Sequence, residues 1–196
     1  LYKVRPDDSL RFSMIGYKSR TFLANKFIAD SVWNLGLDPK TYNLADIVEV
    51  YQRPKTIILG TPVETDELRS GFSDNELGSE LGVRVNARRR TQLKDINLNV
   101  AVSTYDSVIY RMNIYLIEDG IVCENILKKP IYLSFTKDQI TDVLTLDLWK
   151  YSIIVEGDIL VSLELFKDLG EGKLLFRTTY FTGVTYHRKT SEGDWT

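Results

Sequence analysis

The chain contains very few of the residues on which metal and thiol chemistry depend. Among its 196 residues there is one cysteine, Cys123, and one histidine, His187. One cysteine excludes an intrachain disulfide, and these two side chains alone cannot form a zinc site built from several Cys and His ligands. We therefore expect neither a metal ion nor a cofactor.

The chain also lacks an excess of charge of either sign. The 25 basic and 27 acidic residues give a formal net charge of -2. Proteins that bind nucleic acid or anionic membranes through general electrostatics are markedly basic, so nucleic acid is not an expected partner. No apolar run reaches the length of a membrane-spanning helix, so the sequence predicts no transmembrane segment in this chain.

Alanine, the strongest helix former, occurs only five times. By contrast, the chain has 15 Val, 16 Ile and 16 Thr residues, together with 22 aromatic residues. β-Branched and aromatic side chains pack well on a half-buried pleated sheet. The composition therefore predicts an all-β protein in which no helix exceeds about three turns.

The alternation of apolar and polar residues is most regular in the second part of the chain. It runs over residues 96–102 and again over residues 108–116, with the period of a strand that has one buried face. The Glu-Asp-Gly at 118–120 predicts a hairpin turn. Gly157 predicts a bulge or bend within a long strand over residues 153–166. Together these strands and turns predict a jelly-roll-like antiparallel β-sandwich.

Residues 53–80 differ in character from the segments on either side. They contain two prolines and several Gly, Ser and Asp residues, a composition typical of loops and linkers. We accordingly predict three parts: a partial domain over residues 1–52, a linker over residues 53–80 and an antiparallel β-sandwich over residues 81–196.

The first part resembles a known family. Gly16-Tyr17 ends an alternating strand pattern, and residues 44–50 (LADIVEV) form a later one. Together they resemble the second half of the carboxypeptidase-regulatory-like domain, a transthyretin-like β-sandwich common in surface and outer-membrane proteins of Bacteroidetes. The usual opening strand, with Gly-x-Val, and the Asp-x-x-Gly turn are absent. The resemblance therefore implies a partial transthyretin-like sandwich, with the N-terminal half of the domain missing from this chain.

The later part resembles a domain that follows the first in Bacteroidetes proteins of unassigned role. The similar stretches are residues 112–116, 147–155, 157–164 and 186–195. The two resemblances imply a periplasmic or cell-surface location, and we interpret the chain as a fragment or processed form that does not include its signal segment. They imply no peptidase activity. The zinc ligands of metallocarboxypeptidases include two histidines, whereas this chain has one. The predicted function is a non-enzymatic cell-envelope module for binding or structure, with an unknown protein or glycan ligand.

The residues that could act as nucleophile or base do not form a recognisable set. Ser191 and Glu192 are close to His187 in sequence, but a catalytic triad depends on geometry that adjacency does not provide. We expect His187 to face solvent or lie on an edge strand, and Cys123 to be a small buried residue. Glu164 alternates with apolar neighbours and is expected on an exposed face. We assign no catalytic residue and predict that the chain is not an enzyme.

Arg88, Arg89 and Arg90 form the densest run of charge, and Lys128-Lys129 form a second. Together they could bind a polyanion or an acidic partner. In a regular strand, however, Arg88 and Arg90 share one face while Arg89 points to the other, which splits the patch. A charged edge strand that resists aggregation is the simpler interpretation.

Aromatic residues suggest the alternative function, a carbohydrate-binding module of a polysaccharide-utilisation system. Aromatic rings on a sandwich face can stack on sugars, and nearby amides can bond sugar hydroxyls. Trp149 is the best aromatic candidate for ligand binding, with Asn97 and Asn99 as candidate polar contacts. Aromatic residues in small sandwiches also serve in core and edge packing, so both interpretations of Trp149 stay open at this point.

Overall fold

The computed structural model describes residues 5–27, 34–40, 55–60, 68–178 and 184–196. Within these ranges the protein is all-β, as its composition predicts, and the helices are short 3-10 segments: Ala24–Phe27, Lys137–Gln139 and Trp149–Tyr151. No helix in these ranges has the length and apolar character needed to cross a membrane. The chain divides into two compact units, Leu1–Pro54 and Lys55–Thr196.

The first unit contains a short antiparallel hairpin. Strand β1 (Ser9–Phe12) pairs with β2 (Arg20–Leu23). The rings of Phe12, Phe22 and Phe27 contact one another, with centroids 5.5–6.2 Å apart. This aromatic cluster joins the hairpin to the 3-10 segment that follows it.

Part of the resemblance to the carboxypeptidase-regulatory-like domain falls within the described residues. Gly16 has a left-handed backbone with φ of 85°, and Tyr17 forms an isolated β-bridge with Pro39. Residues 44–50 lie outside the described residues. The resemblance stays a prediction, as does the inference that the first part is an incomplete sandwich.

The second unit is built from two antiparallel sheets. One has the strand order β12-β4-β10-β6-β7, with β8 also paired to β6, and the other has the order β3-β11-β5-β9. This arrangement confirms the predicted antiparallel β-sandwich architecture. The strands, within the described residues, are β3 (Leu68–Phe72), β4 (Glu80–Gln92), β5 (Asp95–Ser103), β6 (Ser107–Glu118), β7 (Ile121–Asn125), β8 (Ile131–Thr136), β9 (Val143–Asp147), β10 (Ile154–Glu164), β11 (Leu174–Thr178) and β12 (Thr185–Arg188).

An apolar core lies between the two sheets. Phe72 of β3 packs on Tyr110 of β6 with ring centroids 4.6 Å apart, a contact that links the sheets. Full burial of one aliphatic core side chain stabilises the fold by about 1.5–3 kcal/mol. Apolar side chains buried in both sheets include Ala87, Met112, Ile114, Ile159, Leu144 and Leu174.

The predicted turn and bulge are both confirmed. Asp119 and Gly120 separate β6 from β7 and have φ angles of 50° and 80°, as a type I′ hairpin turn requires. Gly157 has a φ of 81°, and the pairing of β10 with β4 changes register between Val155 and Gly157. Local turn chemistry therefore predicts the hairpin turn and the irregular pairing at Gly157, although the extra residues lie on β4.

Strand β3 lies inside the segment that composition identifies as a linker. It pairs with β11 at the edge of the four-stranded sheet. A Cβ atom on Gly71 would lie 2.1 Å from the carbonyl oxygen of Leu174, so the close approach of β11 requires glycine here. Because glycine is also typical of loops, the composition of residues 53–80 predicts a linker where this strand lies.

Candidate functional site

The six-stranded sheet carries buried polar side chains on its outer face, which is the face turned away from the core. Glu164 on β10 is directly opposite Glu80 on β4 and Arg111 on β6, and Arg188 on β12 is opposite Glu80. Side chains of directly opposed residues lie on the same face of a sheet. The strand register therefore gathers four charged residues in one place. We call the following residues the outer-face network: Glu80, Arg111, Asn113, Ser162, Glu164, Arg188 and Ser191.

Glu80 lies at the centre of this network, and its side chain has no exposed area. Arg188 donates to Glu80 Oε2 from Nε and Nη2, at 2.8 and 2.6 Å. Asn113 and Ser162 donate to Glu80 Oε1, and the Tyr115 hydroxyl donates to Oε2 at 3.3 Å. Both oxygens of this buried carboxylate are hydrogen-bonded and its charge is paired, as burial of an ion requires.

Glu164 is only 2% exposed, so the expectation of an exposed face is wrong. Arg111 donates to both of its carboxylate oxygens, from Nε at 2.9 Å and from Nη2 at 2.6 Å. The Ser191 hydroxyl adds a bond of 2.6 Å to Oε1. Alternation correctly separates Glu164 from the core face, but the residues that cover it come from distant parts of the chain.

Asn113 connects the two carboxylates. Its Nδ2 group donates to Glu80 Oε1 and to Glu164 Oε2, each at 2.9 Å, and its Oδ1 accepts a bond from Asn125 Nδ2 at 2.9 Å. An amide nitrogen has two N–H donors and here each one binds a carboxylate. The network is therefore continuous, and its two carboxylates are matched by two guanidinium groups.

The protonation states of the network follow from its geometry. Burial alone raises the pKa of Glu164, but hydrogen bonds from Arg111 and Ser191 and the charge of Arg111 outweigh it, so the pKa lies below its usual value. Burial lowers the pKa of Arg188, but the charge of Glu80, the hydrogen bonds to it and the nearby Tyr115 together outweigh burial, so the pKa lies above its usual value. Burial and Glu80 raise the pKa of Tyr115. At neutral pH, Glu164 is thus ionised, Arg188 is charged and Tyr115 is protonated.

The C-terminal residues pack against one end of the network. The Trp195 ring meets Tyr115 edge-on with centroids 5.5 Å apart, and the Arg188 guanidinium lies 4.6 Å from the centre of the indole. His187 and Thr196 exchange two backbone hydrogen bonds of 2.9 Å, as residues of antiparallel strands do. Arg188 is therefore held by a carboxylate and by an aromatic ring.

His187 is exposed and lies on the edge strand β12, which confirms that prediction. Ser191 donates to Glu164, whereas the hydroxyl beside the imidazole is that of Thr196, at 3.1 Å from both ring nitrogens. Ser191 therefore bonds Glu164, and the hydroxyl in contact with His187 comes from Thr196.

Cys123 is exposed, so the prediction of a buried cysteine is wrong. It lies on β7, a strand at the edge of the six-stranded sheet. Val122 packs against the buried residues Tyr115, Ile117 and Leu160. Val122 therefore occupies the covered position on the outer face, and Cys123 is exposed on this edge strand.

The candidate sugar-binding residues lie on or beside the four-stranded sheet. Asn97 and Asn99 are opposite Thr145 and Val143, on the face away from the buried Leu144. Asn97 Oδ1 accepts a hydrogen bond of 2.7 Å from the Thr145 hydroxyl. The structure thus brings the two asparagines together on one outward face.

Trp149 is 60% exposed and begins the 3-10 segment that follows β9. Its backbone N–H donates to Asp147 Oδ1 at 2.9 Å. Asp147 is opposite Asp95, and Asp95 Oδ1 accepts a bond of 3.4 Å from Asn97 Nδ2. Trp149 therefore lies beyond the same end of β9 and β5 that carries this polar group.

Groups that could hold a metal ion are absent from the part of the chain that the structure describes: no three His, Cys, Asp or Glu side chains converge there. An open crevice of about 340 Å³ is lined by Ser73, Asn75, Asp168, Gly170, Glu171 and Gly172. Asp168 accepts hydrogen bonds from the Asn75 amide and from Gly170 N–H. This carboxylate therefore shapes the loop that borders the crevice.

Comparisons with protein-family models, with curated proteins and with solved structures each returned no match.

Sequence patterns do not identify the outer-face network as a unit. Arg111 and Asn113 alternate with apolar residues in β6, and Glu80 and Arg188 lie near the ends of their strands. A signal was present in the charged residues at polar positions of these strand patterns, such as Arg111 and Glu164. Charged residues alternate with apolar ones in the same way whether the polar face of the sheet is exposed to solvent or covered by other residues. The pattern therefore does not predict that this face is covered.

Proposed function

We propose that this chain is a non-enzymatic binding or structural module of the cell envelope. The closed outer-face network is the observation that supports a non-enzymatic function. The envelope assignment is supported by the resemblance of Gly16-Tyr17 and residues 44–50 to the carboxypeptidase-regulatory-like domain.

The network uses its carboxylates for structure. A general acid or base must reach a substrate proton and have a pKa near the working pH. The pKa of Glu164 is instead moved away from neutrality, and Arg111, Asn113 and Ser191 occupy its oxygens. Glu80 is fully covered and paired with Arg188. These are the properties of an ion cluster that stabilises a fold.

A hydrolase assay tests the non-enzymatic proposal. Purified protein is incubated with panels of glycoside, ester, peptide and phosphate substrates, beside the Glu164→Gln variant and the control His187→Ala. We expect no turnover above the buffer rate. Turnover that disappears in Glu164→Gln or in His187→Ala, while the variant keeps the wild-type circular dichroism spectrum, contradicts the proposal.

Cell fractionation tests the envelope assignment. The native gene product is followed with an antibody raised against this chain, alongside cytosolic and envelope marker proteins. We expect it with the envelope markers. Recovery with the cytosolic marker contradicts the assignment and leaves the non-enzymatic proposal standing.

The second candidate function is carbohydrate binding, which the exposure of Trp149 favours. An indole that is 60% exposed offers a flat apolar face of the kind that stacks on sugar rings, and Asn97 offers amide hydrogen bonds nearby. A glycan array with wild type, Trp149→Ala and Asn97→Ala tests this function. Tyr132→Ala is the control, because Tyr132 is 47% exposed on the other sheet. Binding that survives Trp149→Ala excludes this surface.

A further inference from the structure

Strand β4 carries three consecutive exposed arginines, Arg88, Arg89 and Arg90. Among the described residues, no carboxylate forms an ion pair with any of them; the ion pairs found there involve other cations. The carboxylate that lies opposite them on β10 is that of Glu156, and it forms no ion pair with them. The three guanidinium groups therefore form a concentrated positive charge at one point of the strand.

A large bulge in β4 sets the positions of these arginines. Ala87 pairs with Gly157 and Thr91 pairs with Val155. Three residues of β4 therefore lie between the two pairs, whereas β10 has only Glu156 there. The bulge contains two more residues than regular pairing permits, and bulges re-aim side chains.

The bulge changes the sequence-based expectation for Arg89. In a regular strand Arg89 shares a face with Ala87 and Thr91, and Ala87 is completely buried in the core. Arg89 is exposed, as Arg88 and Arg90 are. The bulge thus removes Arg89 from the core-facing position, and all three arginine side chains are exposed.

Within the described residues, the bulge lies beyond the part of β4 that pairs with β12. Strand β12 pairs with β4 only over Glu80–Val83, and one further hydrogen bond joins Arg84 N to Val184 O. Beyond Arg84, no strand within the described residues pairs with the side of β4 opposite β10. Because the side chains of all three arginines are exposed, a ligand can contact them.

Exposed aromatic residues lie next to the bulge along the paired strand. Gln92 pairs with Ile154, and Leu93 N donates to Ile153 O at 2.9 Å. The 3-10 segment Trp149–Tyr151 comes immediately before this point. Trp149 and Tyr151 are 60% and 37% exposed, so exposed aromatic rings precede the strand that pairs with β4 on either side of the bulge.

We infer that the arginine bulge binds an acidic polysaccharide through its sulfate or carboxylate groups, with Trp149 available to a sugar ring. The inference rests on the proposal that the chain is a binding module. Guanidinium groups bind sulfate and carboxylate oxygens with two parallel hydrogen bonds. The net charge of -2 favours a glycan over a nucleic acid, because general nucleic-acid binding draws on many cations over a wide surface.

Titration calorimetry with dextran sulfate oligomers tests the inference, with unsulfated dextran of equal length as the ligand control. We expect wild type to bind the sulfated form only. Replacing all three arginines, Arg88→Ala with Arg89→Ala and Arg90→Ala, should weaken binding roughly tenfold or more, since several charge-assisted contacts are lost. Lys128→Ala with Lys129→Ala is the matched control and should bind as wild type does, because these exposed lysines follow β7 elsewhere on the sheet.

Two further measurements sharpen the result. Replacing the three arginines by lysine keeps the charge but removes the two-bond geometry, so we expect binding between that of wild type and that of the alanine variant. Thermal unfolding should be nearly unchanged in these variants, because the three side chains are exposed.

Three outcomes overturn the inference. They are failure of wild type to bind dextran sulfate, equal binding by the triple alanine variant, and tighter binding of a polythymidine or polyglutamate chain of equal charge. Each of them leaves the non-enzymatic proposal intact, since that depends on the absence of turnover. Loss of neutral-glycan binding in Trp149→Ala likewise tests the second candidate function without involving the arginines.

Discussion

Glu80 and Glu164 lie directly opposite each other on neighbouring strands, although both carry carboxylate groups. Like charges in such a pair destabilise a sheet unless other groups compensate them. Compensation comes from Arg188 and Arg111, and the Asn113 amide donates to both carboxylates. The packing of the outer face thus depends on a charge-balanced cluster in addition to apolar contacts.

Asn113→Asp should destabilise the protein more than Asn113→Ala. The alanine variant loses the shared donor and should lower the free energy of unfolding by about 1–3 kcal/mol. The aspartate variant adds a third carboxyl group beside Glu80 and Glu164 and should cost about 3 kcal/mol or more at neutral pH. Urea denaturation at pH 7 measures both. Equal stability of the two variants argues against a shared amide bridge.

Arg188→Met should be strongly destabilising, because it leaves Glu80 buried without a counter-charge. The expected loss is about 3–5 kcal/mol of unfolding free energy. Adding Glu80→Leu removes the remaining charge, and the double variant should be more stable than Arg188→Met alone. A double-mutant cycle in urea gives the coupling between the two residues. A double variant that is no more stable than the single one contradicts the pairing.

The lowered pKa of Glu164 predicts a loss of stability in acid. Its ordinary value is 4.5, and a lowered folded-state value means that its contribution is complete above that pH. The contribution declines as the pH falls through the folded-state pKa. Glu164→Gln should therefore show a shallower fall of unfolding free energy between about pH 5 and pH 3. Glu156→Gln, at an exposed position on the same strand, should follow the wild-type curve; if it flattens the curve equally, the effect is not specific to the network.

Trp195→Ala should destabilise the protein while Trp149→Ala should not. Trp195 packs on Tyr115 and on Arg188, and its removal should cost about 1–3 kcal/mol. Trp149 is mostly exposed, so its removal should change stability by less than about 0.5 kcal/mol. Thermal unfolding and hydrogen exchange at the Thr196 amide measure the difference. Equal costs in the two variants contradict the described role of Trp195.

Cys123 should react with a water-soluble disulfide reagent in the native protein at nearly the rate found in denaturant. The reason is its exposure on the edge strand β7. Absorbance of the released thiolate follows the reaction, and Cys123→Ser provides the blank. A reaction that occurs only after unfolding shows that the thiol is buried.

The sequence by itself determined the strand-rich architecture and several turns. Alternation and turn chemistry act over a few neighbouring residues, so the left-handed angles of Asp119, Gly120 and Gly157 follow from local residue types. The exposure of His187 was also predictable, because it lies near the end of a short terminal strand pattern.

Only the tertiary structure decided which polar faces are covered and where the register changes. Glu164 is buried because Arg111 and Ser191, which are distant in sequence, close over it. Cys123 is exposed because β7 lies at a sheet edge, and Arg89 is exposed because β4 has two more residues than β10 between matched pairs. Alternation assigns a side chain to a face, but what lies against that face depends on strand order and register, which are set by contacts between distant segments.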